Sequence, residues 1–380
     1  MAGPLTGVQI VELAAIGPGP FCAMMLSDMG ADVVRVDRSD QVGGATWNSH
    51  DVLNRGRRTI AVDLKHPDGV EVVMKLVEAA DGLIEGFRPG VAERLGVGPD
   101  PCWERNPGLV YGRMTGWGQN GPLSHTAGHD IDYIAVSGVL GAIGRVGERP
   151  VPPLNLVGDF GGGGLLLAFG MVCGLLEARE SGLGQVVDAA MTDGSSILST
   201  LVYGLAAAGL WDLDSKGTNL LDSGAPWYDT YETADGHYVA VGAIEPKFYE
   251  ALLKGLGFAE TDLPAQHDRA RWPDLRQAFA DRFAEKTREG WVSVFEGTDA
   301  CVAPVLRLSE AAEHPHNVAR STFVDIDGIT QPAPAPRFSR TPTATPSPPA
   351  EPGTHTDLIL ADLGLSVSAI EELRGSGAVV

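Results

Sequence analysis

Through the first half of the chain, short apolar runs alternate with stretches of helical spacing. Residues 8–13 form an apolar run of strand length, a turn-forming Ala14-Ala15-Ile16-Gly17-Pro18-Gly19-Pro20 follows, and residues 21–29 repeat apolar positions every three to four residues. Residues 32–37 supply a second strand-like run, which completes a β-α-β unit. The alternation continues with a strand pattern at 59–64, a helix at 68–80, and a strand at 82–87 stopped by Arg88-Pro89-Gly90. Further strands are expected at 109–114 and 184–191, before a long helix over 197–210. Strands alternating with helices imply a mostly parallel, doubly wound α/β sheet, expected over residues 1–215.

The period changes after about residue 225. Two alternating runs, 228–233 and 238–244, flank Ala234-Asp235-Gly236-His237, and Asp-Gly supplies the positive φ angles of a tight hairpin. A smaller α+β domain is therefore expected at 216–329, with helices at 246–256 and 272–287 and an apolar run at 301–306. The Pro-rich stretch 331–353 cannot be helix or central strand. Residues 330–380 read as an extended connector and a final helix near 367–374 that return to the large domain. The uncharged runs 160–176 and 194–211 approach the length of a membrane span, but they carry Gly, Ser and Thr and are expected to be buried core helices.

Composition narrows the function classes. With 380 residues, 44% hydrophobic and 20% charged, the chain is long and apolar enough for more than one folded domain. A net charge of −21 disfavours nucleic acid as a partner. The start of the chain at Met1 lacks a basic segment followed by an apolar one, so no secretory signal and a cytoplasmic location are expected. Cys22, Cys102, Cys173 and Cys301 have no paired spacing, which points to reduced, buried thiols and to no metal site.

Gly17-Pro18-Gly19-Pro20 and Asp37 occupy the places of a dinucleotide-binding fingerprint, but two prolines remove donors from the loop that would hold a pyrophosphate, so a dehydrogenase is rejected. Positive charge gathers at Arg35, Arg38, Arg55, Arg57, Arg58 and Lys65, followed by Arg88 and Arg94. That cluster reads either as a polyphosphate site or as a solvated face with surface ion pairs. His129 opens a helical pattern, where the helix dipole favours a neutral ring able to act as a base. Asp159 stands at the mouth of the Gly161-Gly162-Gly163-Gly164 run, and Glu245 immediately precedes Pro246; helix capping explains either one equally well.

Over nearly its whole length the chain resembles the family III CoA-transferases and, within them, the branch of α-methylacyl-CoA racemases. The segments that carry the resemblance are GVQIVELAAIGPGPFCAMMLSDMGADVVRVDR, NRGRRTIAVDLK, IEGFRPGVAERLG, MTGWGQNGP, AGHDIDY, NLVGDFGGG, VGAIEPKFY and PAPRFSRTP. The resemblance implies a Rossmann-like large domain and a smaller α+β domain in an interlocked homodimer that takes acyl-CoA in lipid and fatty-acid metabolism. It implies CoA contacts at Arg38, at Val62, Asp63, Leu64 and Lys65, at Gly86, Phe87 and Arg88, at Arg94, and at Gly128, Asp130, Ile131, Asp132 and Tyr133. Asp132 stands where the racemase motif has asparagine. The implied reaction epimerises 2-methylacyl-CoA through an enolate, with His129 and Asp159 exchanging protons on opposite faces and Glu245 orienting His129. Backbone N–H groups at the start of the Asp159 helix are expected to hold the enolate oxygen. CoA enters as part of the substrate, with no separate cofactor. Met24, Met25 and Met114 are candidates for an adaptable acyl slot. Two alternatives remain open on sequence: a CoA-transferase using Asp159 as nucleophile, and a CoA-binding regulator that performs no chemistry.

Overall fold

The computed structural model describes residues 2–43, 49–259 and 262–380. The chain forms two compact units, Met1–Ser137 with Leu154–Leu198 and Pro315–Val380, and Gly138–Pro153 with Ser199–His314. Met1 itself, on which the expected chain start falls, lies outside the described residues.

The first unit is built on β1 (Gln9–Leu13), β2 (Asp32–Arg38), β3 (Arg58–Val62), β4 (Gly82–Glu85), β5 (Val110–Thr115) and β6 (Val186–Ala190). All six are parallel, in the order β3-β2-β1-β4-β5-β6. Their two-residue side-chain period divides the core into two layers. Val11, Leu13, Val34, Val36, Ile60 and Val62 meet the helix Pro67–Ala79 and the C-terminal Ile359, Leu360 and Ile370 on one face. Val8, Ile10, Val33, Ile84 and Val110 meet the helices Pro18–Asp28 and Leu166–Ser181 on the other.

Three local features differ from the sequence reading. The expected single helix over 197–210 is two, Met191–Leu198 and Thr200–Ala207, because Ser199 adopts a non-helical backbone between them. An antiparallel hairpin, β10 (Phe323–Ile326) and β11 (Ile329–Pro332), enters the start of the expected connector; Pro332 is tolerated as the last residue of a two-stranded edge. The helix Thr356–Asp362 precedes the expected final helix, which runs Val367–Ser376. The chain end then returns to the sheet: Asp63 N–H donates to the Ala378 carbonyl at 2.9 Å, and Val62 bridges Val379.

The uncharged run that opens at Phe160 is also not a fully buried helix. Its wide-turned π-helical start, Leu156–Leu165, and the helix that follows are buried where they meet the sheet, but Leu165, Phe169 and Leu176 face outward. Among the described residues, Leu156–Ser181 is the one helical stretch long and apolar enough to cross a membrane by length and composition. In the second apolar run, Ile197, Leu198, Leu201, Tyr203 and Leu210 are likewise exposed.

The second unit holds the antiparallel sheet of β7 (Tyr228–Glu232), β8 (Tyr238–Gly242) and β9 (Val302–Pro304). Gly236, at φ 71°, makes the β7–β8 turn that Asp-Gly announced. Its core is aromatic, centred on Trp227, Tyr231, Phe279, Phe283 and Trp291.

Candidate active site

In a doubly wound sheet, ligands settle at the carboxyl ends of the strands where the strand order reverses. Here that point lies between β1 and β4. A cavity of about 320 Å³ opens there, lined by the turn after β1 (Ile16, Gly17), the loop after β4 (Gly86, Phe87, Arg88), the end of β5 (Met114) and the turn beyond it (Trp117), and by His129, Asp159 and Met191.

Glycines explain how Asp159 reaches it. A Cβ on Gly162 would stand 2.6 Å from the Ser195 nitrogen, and one on Gly164 would stand 2.5 Å from the Pro18 carbonyl oxygen. The π-helical segment can therefore lie directly on the helices Pro18–Asp28 and Met191–Leu198 only because these positions lack side chains. Gly17, at φ 75°, forms the turn after β1, and a Cβ there would meet Asp159 Oδ2 at 3.5 Å. The prolines of this turn enter the first turn of the helix Pro18–Asp28, where a missing N–H has no helical partner to lose.

Asp159 is held at two points. Its N–H donates to Asp130 Oδ1 at 2.8 Å, and its Oδ2 accepts from Asn155 Nδ2 at 3.0 Å, one helical turn earlier. Burial pushes the Asp159 carboxyl above the usual range, and the Asp130 charge adds to the rise; the Asn155 bond and the charge of His129 act against it. His129 and Asp159 thus share one cavity and one electrostatic environment. Because the Asp159 N–H is committed to Asp130, it is not free to hold an enolate oxygen as expected.

His129 precedes the helix Asp130–Val136 in extended conformation, and its N–H donates to Asp132 Oδ2 at 2.9 Å. Asp132 therefore does what a helix-capping asparagine oxygen would do. The Tyr133 hydroxyl donates to the Gly128 carbonyl, and its ring meets Trp117 edge-on at 4.8 Å. Asp130 is buried and turned toward Asp159, whereas Ile131 and Asp132 are exposed. Glu245 lies in the second unit, where its carbonyl starts the helix Pro246–Leu256 and its side chain is exposed.

The basic cluster divides. Arg57 pairs with Glu12 at 2.9 Å and Arg55 with Asp28 at 2.5 Å, all four side chains being almost wholly buried. Arg35 pairs with Asp37 at 2.8 Å, and Arg58 with Asp32 and Asp362 at 2.7 and 2.8 Å. Arg35, Arg55 and Arg57 are internal ties, and Arg58 is a partly exposed one. Asp37, which a dinucleotide site would use for ribose, is buried against Arg35, and burial pushes its carboxyl up to about 6. The other four cations follow strand ends: Arg38 ends β2 and pairs with the exposed Asp40, Lys65 follows β3, and Arg88 and Arg94 follow β4, all exposed. Val62 is buried, Leu64 packs on the first core layer, and Asp63 accepts the Lys65 N–H at 2.9 Å.

Met114 lines the cavity, whereas Met24 is buried in the core and the half-buried Met25 packs against the second core layer. Met191 and Trp117, absent from the sequence-level candidates, line it as well. Asp130, expected only as a CoA contact, and Asn155, not named as a candidate, support Asp159; Asn155 stands four residues before Asp159, a spacing that places both on one helix face. Cys22 and Cys102 are buried as expected, but Cys173 and Cys301 are exposed; all four are free. Among the described residues there is no cluster of side chains able to hold a metal.

Residues 5–356 match the sequence model of CoA-transferase family III. Alpha-methylacyl-CoA racemase of Mus musculus is 49% identical over 378 residues, covering 99% of this chain and 97% of that protein. The Homo sapiens protein of the same name is 47% identical over 375 residues, covering 97% and 96%. The crystal structure of a CAIB/BAIF family protein from Brucella suis has the same fold, with a TM-score of 0.82 at 24% identity, covering 96% of this chain and 100% of that one. The parallel sheet, the cavity at its switch point and these similarities converge on one assignment: the chain belongs to CoA-transferase family III.

Proposed function

We propose that this protein is a 2-methylacyl-CoA racemase that interconverts (2R)- and (2S)-2-methylacyl-CoA by 1,1-proton transfer, with His129 and Asp159 as the two acid/base groups. The observation that carries the reading is the pair itself, a histidine and a burial-perturbed carboxyl lining one cavity, in a chain nearly half identical to two proteins named for this activity. For one epimer, neutral His129 takes the α-proton, the C–H electron pair passes into the thioester to give the enolate, and protonated Asp159 delivers a proton to the opposite face. For the other epimer the roles reverse. A raised Asp159 carboxyl suits this work, since a group that must both give and take a proton acts best when its pKa approaches the working pH.

Arg38, Lys65, Arg88 and Arg94 are the cations proposed to meet the CoA phosphates, because they remain at strand carboxyl ends once the internal pairs are subtracted. Gly86, Phe87, Gly128 and Tyr133 line the cavity where the pantetheine and thioester would pass. The reaction as written needs no metal or redox cofactor. The protein is further proposed to act as an interlocked homodimer, in which the outward apolar side chains Leu165, Phe169, Leu176, Leu201 and Tyr203 are covered by the second copy and Glu245 orients His129. Four free cysteines support a reducing, cytoplasmic compartment.

The test is proton NMR of each epimer incubated with the protein in D₂O. Loss of the α-proton from both, with convergence on a near-equal mixture, is the expected result, and His129→Ala and Asp159→Ala are each expected to impair it severely while leaving CoA affinity nearly unchanged. No exchange, together with a hydroxylamine-sensitive acyl group on Asp159, would replace this reading with acyl transfer. Tight acyl-CoA binding with neither would leave a silent binder.

A further inference from the structure

Beneath the loop that follows β4 lies a buried charge network that the proposed proton transfer does not use. Glu85, the last residue of β4, is almost fully buried, and its Oε2 accepts the Phe87 N–H at 2.5 Å. Arg113 of β5 brings its Nε within 3.6 Å of Glu85 Oε1, pairs through Nη2 with Glu93, and donates from Nη1 to Gln119 at 2.8 Å. One guanidinium thus ties the start and the end of the segment that carries Phe87, Arg88 and Arg94, together with the turn that carries Trp117. Its own Nε has no full hydrogen bond, so Arg113 retains an unused donor facing Glu85.

We propose that Glu85 and Arg113 form a clasp that positions residues 86–94 for the CoA part of the substrate, with Glu85 as a positioning residue in its ionised form. This rests on the reading of that segment as the CoA contact. Burial pushes the Glu85 carboxyl up to about 7; the Phe87 N–H and Arg113 oppose the rise, and Glu93 and Asp188 add to it. Tyr111, whose ring lies 5.3 Å from the Arg113 guanidinium, is pushed far above its usual range and stays neutral. Ionised Glu85 accepts strongly from Phe87 and attracts Arg113, whereas protonation weakens both and leaves Arg113 to Glu93 and Gln119. The loop is therefore fastened above the Glu85 midpoint and loosened below it, and CoA affinity falls as pH falls through it.

The protein and its Glu85→Gln variant are titrated with CoA by calorimetry at about pH 6 and about pH 8. CoA's own phosphate titration is common to both proteins, so their difference isolates Glu85. If only the fastened loop binds well, the wild type weakens by up to roughly tenfold more than the variant between the two pH values. At the higher pH the variant should bind CoA roughly tenfold more weakly than the wild type, and at the lower pH the two should nearly coincide, while the midpoints of the kcat profile stay in place. An identical pH slope in both proteins overturns the clasp and leaves the CoA reading standing; no CoA binding by the wild type at either pH overturns both. If the variant does not fold, dephospho-CoA binding to the wild type near pH 7 is measured in two buffers of different ionisation enthalpy. Release of roughly half a proton is expected, and none overturns the proposal.

Discussion

Replacing Arg57 with methionine separates the two readings of the basic cluster. Arg57 and Glu12 are both almost wholly inaccessible, and Arg57 also donates to the carbonyls of Leu53 and Pro20. Removing one partner of a buried pair leaves the other as an uncompensated buried charge, which costs about 3–5 kcal/mol. Glu12 is the more exposed to this penalty because its Oε1 already lacks a hydrogen bond. The lost bonds to Leu53 and Pro20 would each cost about 1 kcal/mol if relaxation let water in, but they belong to the same network and do not simply add. A loss of at least about 3 kcal/mol is therefore expected for Arg57→Met. In the double variant Glu12→Met with Arg57→Met no charge is left buried, so most of the loss should be recovered.

The assay is urea unfolding by linear extrapolation, followed with a probe in the six-stranded unit. A loss below about 1 kcal/mol for Arg57→Met, or a double variant as unstable as the single, would refute the assignment of Arg57 as an internal tie. So would a folded, stable Arg57→Met protein that had lost CoA affinity tenfold, the behaviour of a phosphate ligand.

Two further substitutions probe the cavity. Gly17→Ala forces a side chain into φ 75° and a methyl to 3.5 Å from Asp159 Oδ2. A strain of about 1–3 kcal/mol is expected, because φ 75° with ψ −113° is a region that side-chain-bearing residues rarely occupy, with slower epimerisation and a further rise of the Asp159 midpoint in the pH–rate profile; unchanged rate and stability would dismiss the close approach. Asp130→Asn removes a charge that raises Asp159 while keeping an oxygen for the Asp159 N–H. The acid limb of kcat/KM, for the epimer in which Asp159 is the base, should move to lower pH, since a carboxyl relieved of a neighbouring negative charge ionises earlier. A limb that stays or moves upward contradicts that electrostatic assignment.

The parallel sheet was legible because its strands are short apolar runs alternating with stretches of helical spacing, as at residues 8–13, 59–64 and 82–87. What periodicity could not supply was the identity of whatever covers an apolar face. Phe169 and Leu176 look like core in a sequence, since a helix surface buried against its own sheet and one that faces outward can have the same composition. The β10–β11 hairpin escaped for a different reason: its Asp327-Gly328 turn carries the same signal as Asp235-Gly236, but Pro332 and the proline-rich stretch beyond it argued against strand. The helix Thr356–Asp362 begins after His355, which supplies no capping side-chain bond, so only Asp357 in its first turn marked its start.

Charge clustering was the least reliable signal at the site, and its failure has a physical origin. Glu12 lies inside the apolar strand β1, and a carboxylate buried there must find a cation within the same unit. Asp28 and Asp37 make the same demand from neighbouring elements, so three of the clustered arginines were already required by the fold. Arg35 and Asp37 stand two residues apart on β2, which puts both on one face of a strand and makes their pairing readable from spacing alone. Subtracting the cations that interior acids require, and asking which of the rest follow the carboxyl end of a strand, leaves Arg38, Lys65, Arg88 and Arg94. In a parallel sheet that position, rather than the number of positive charges nearby, distinguishes a cation free to meet a ligand from one that holds the fold together.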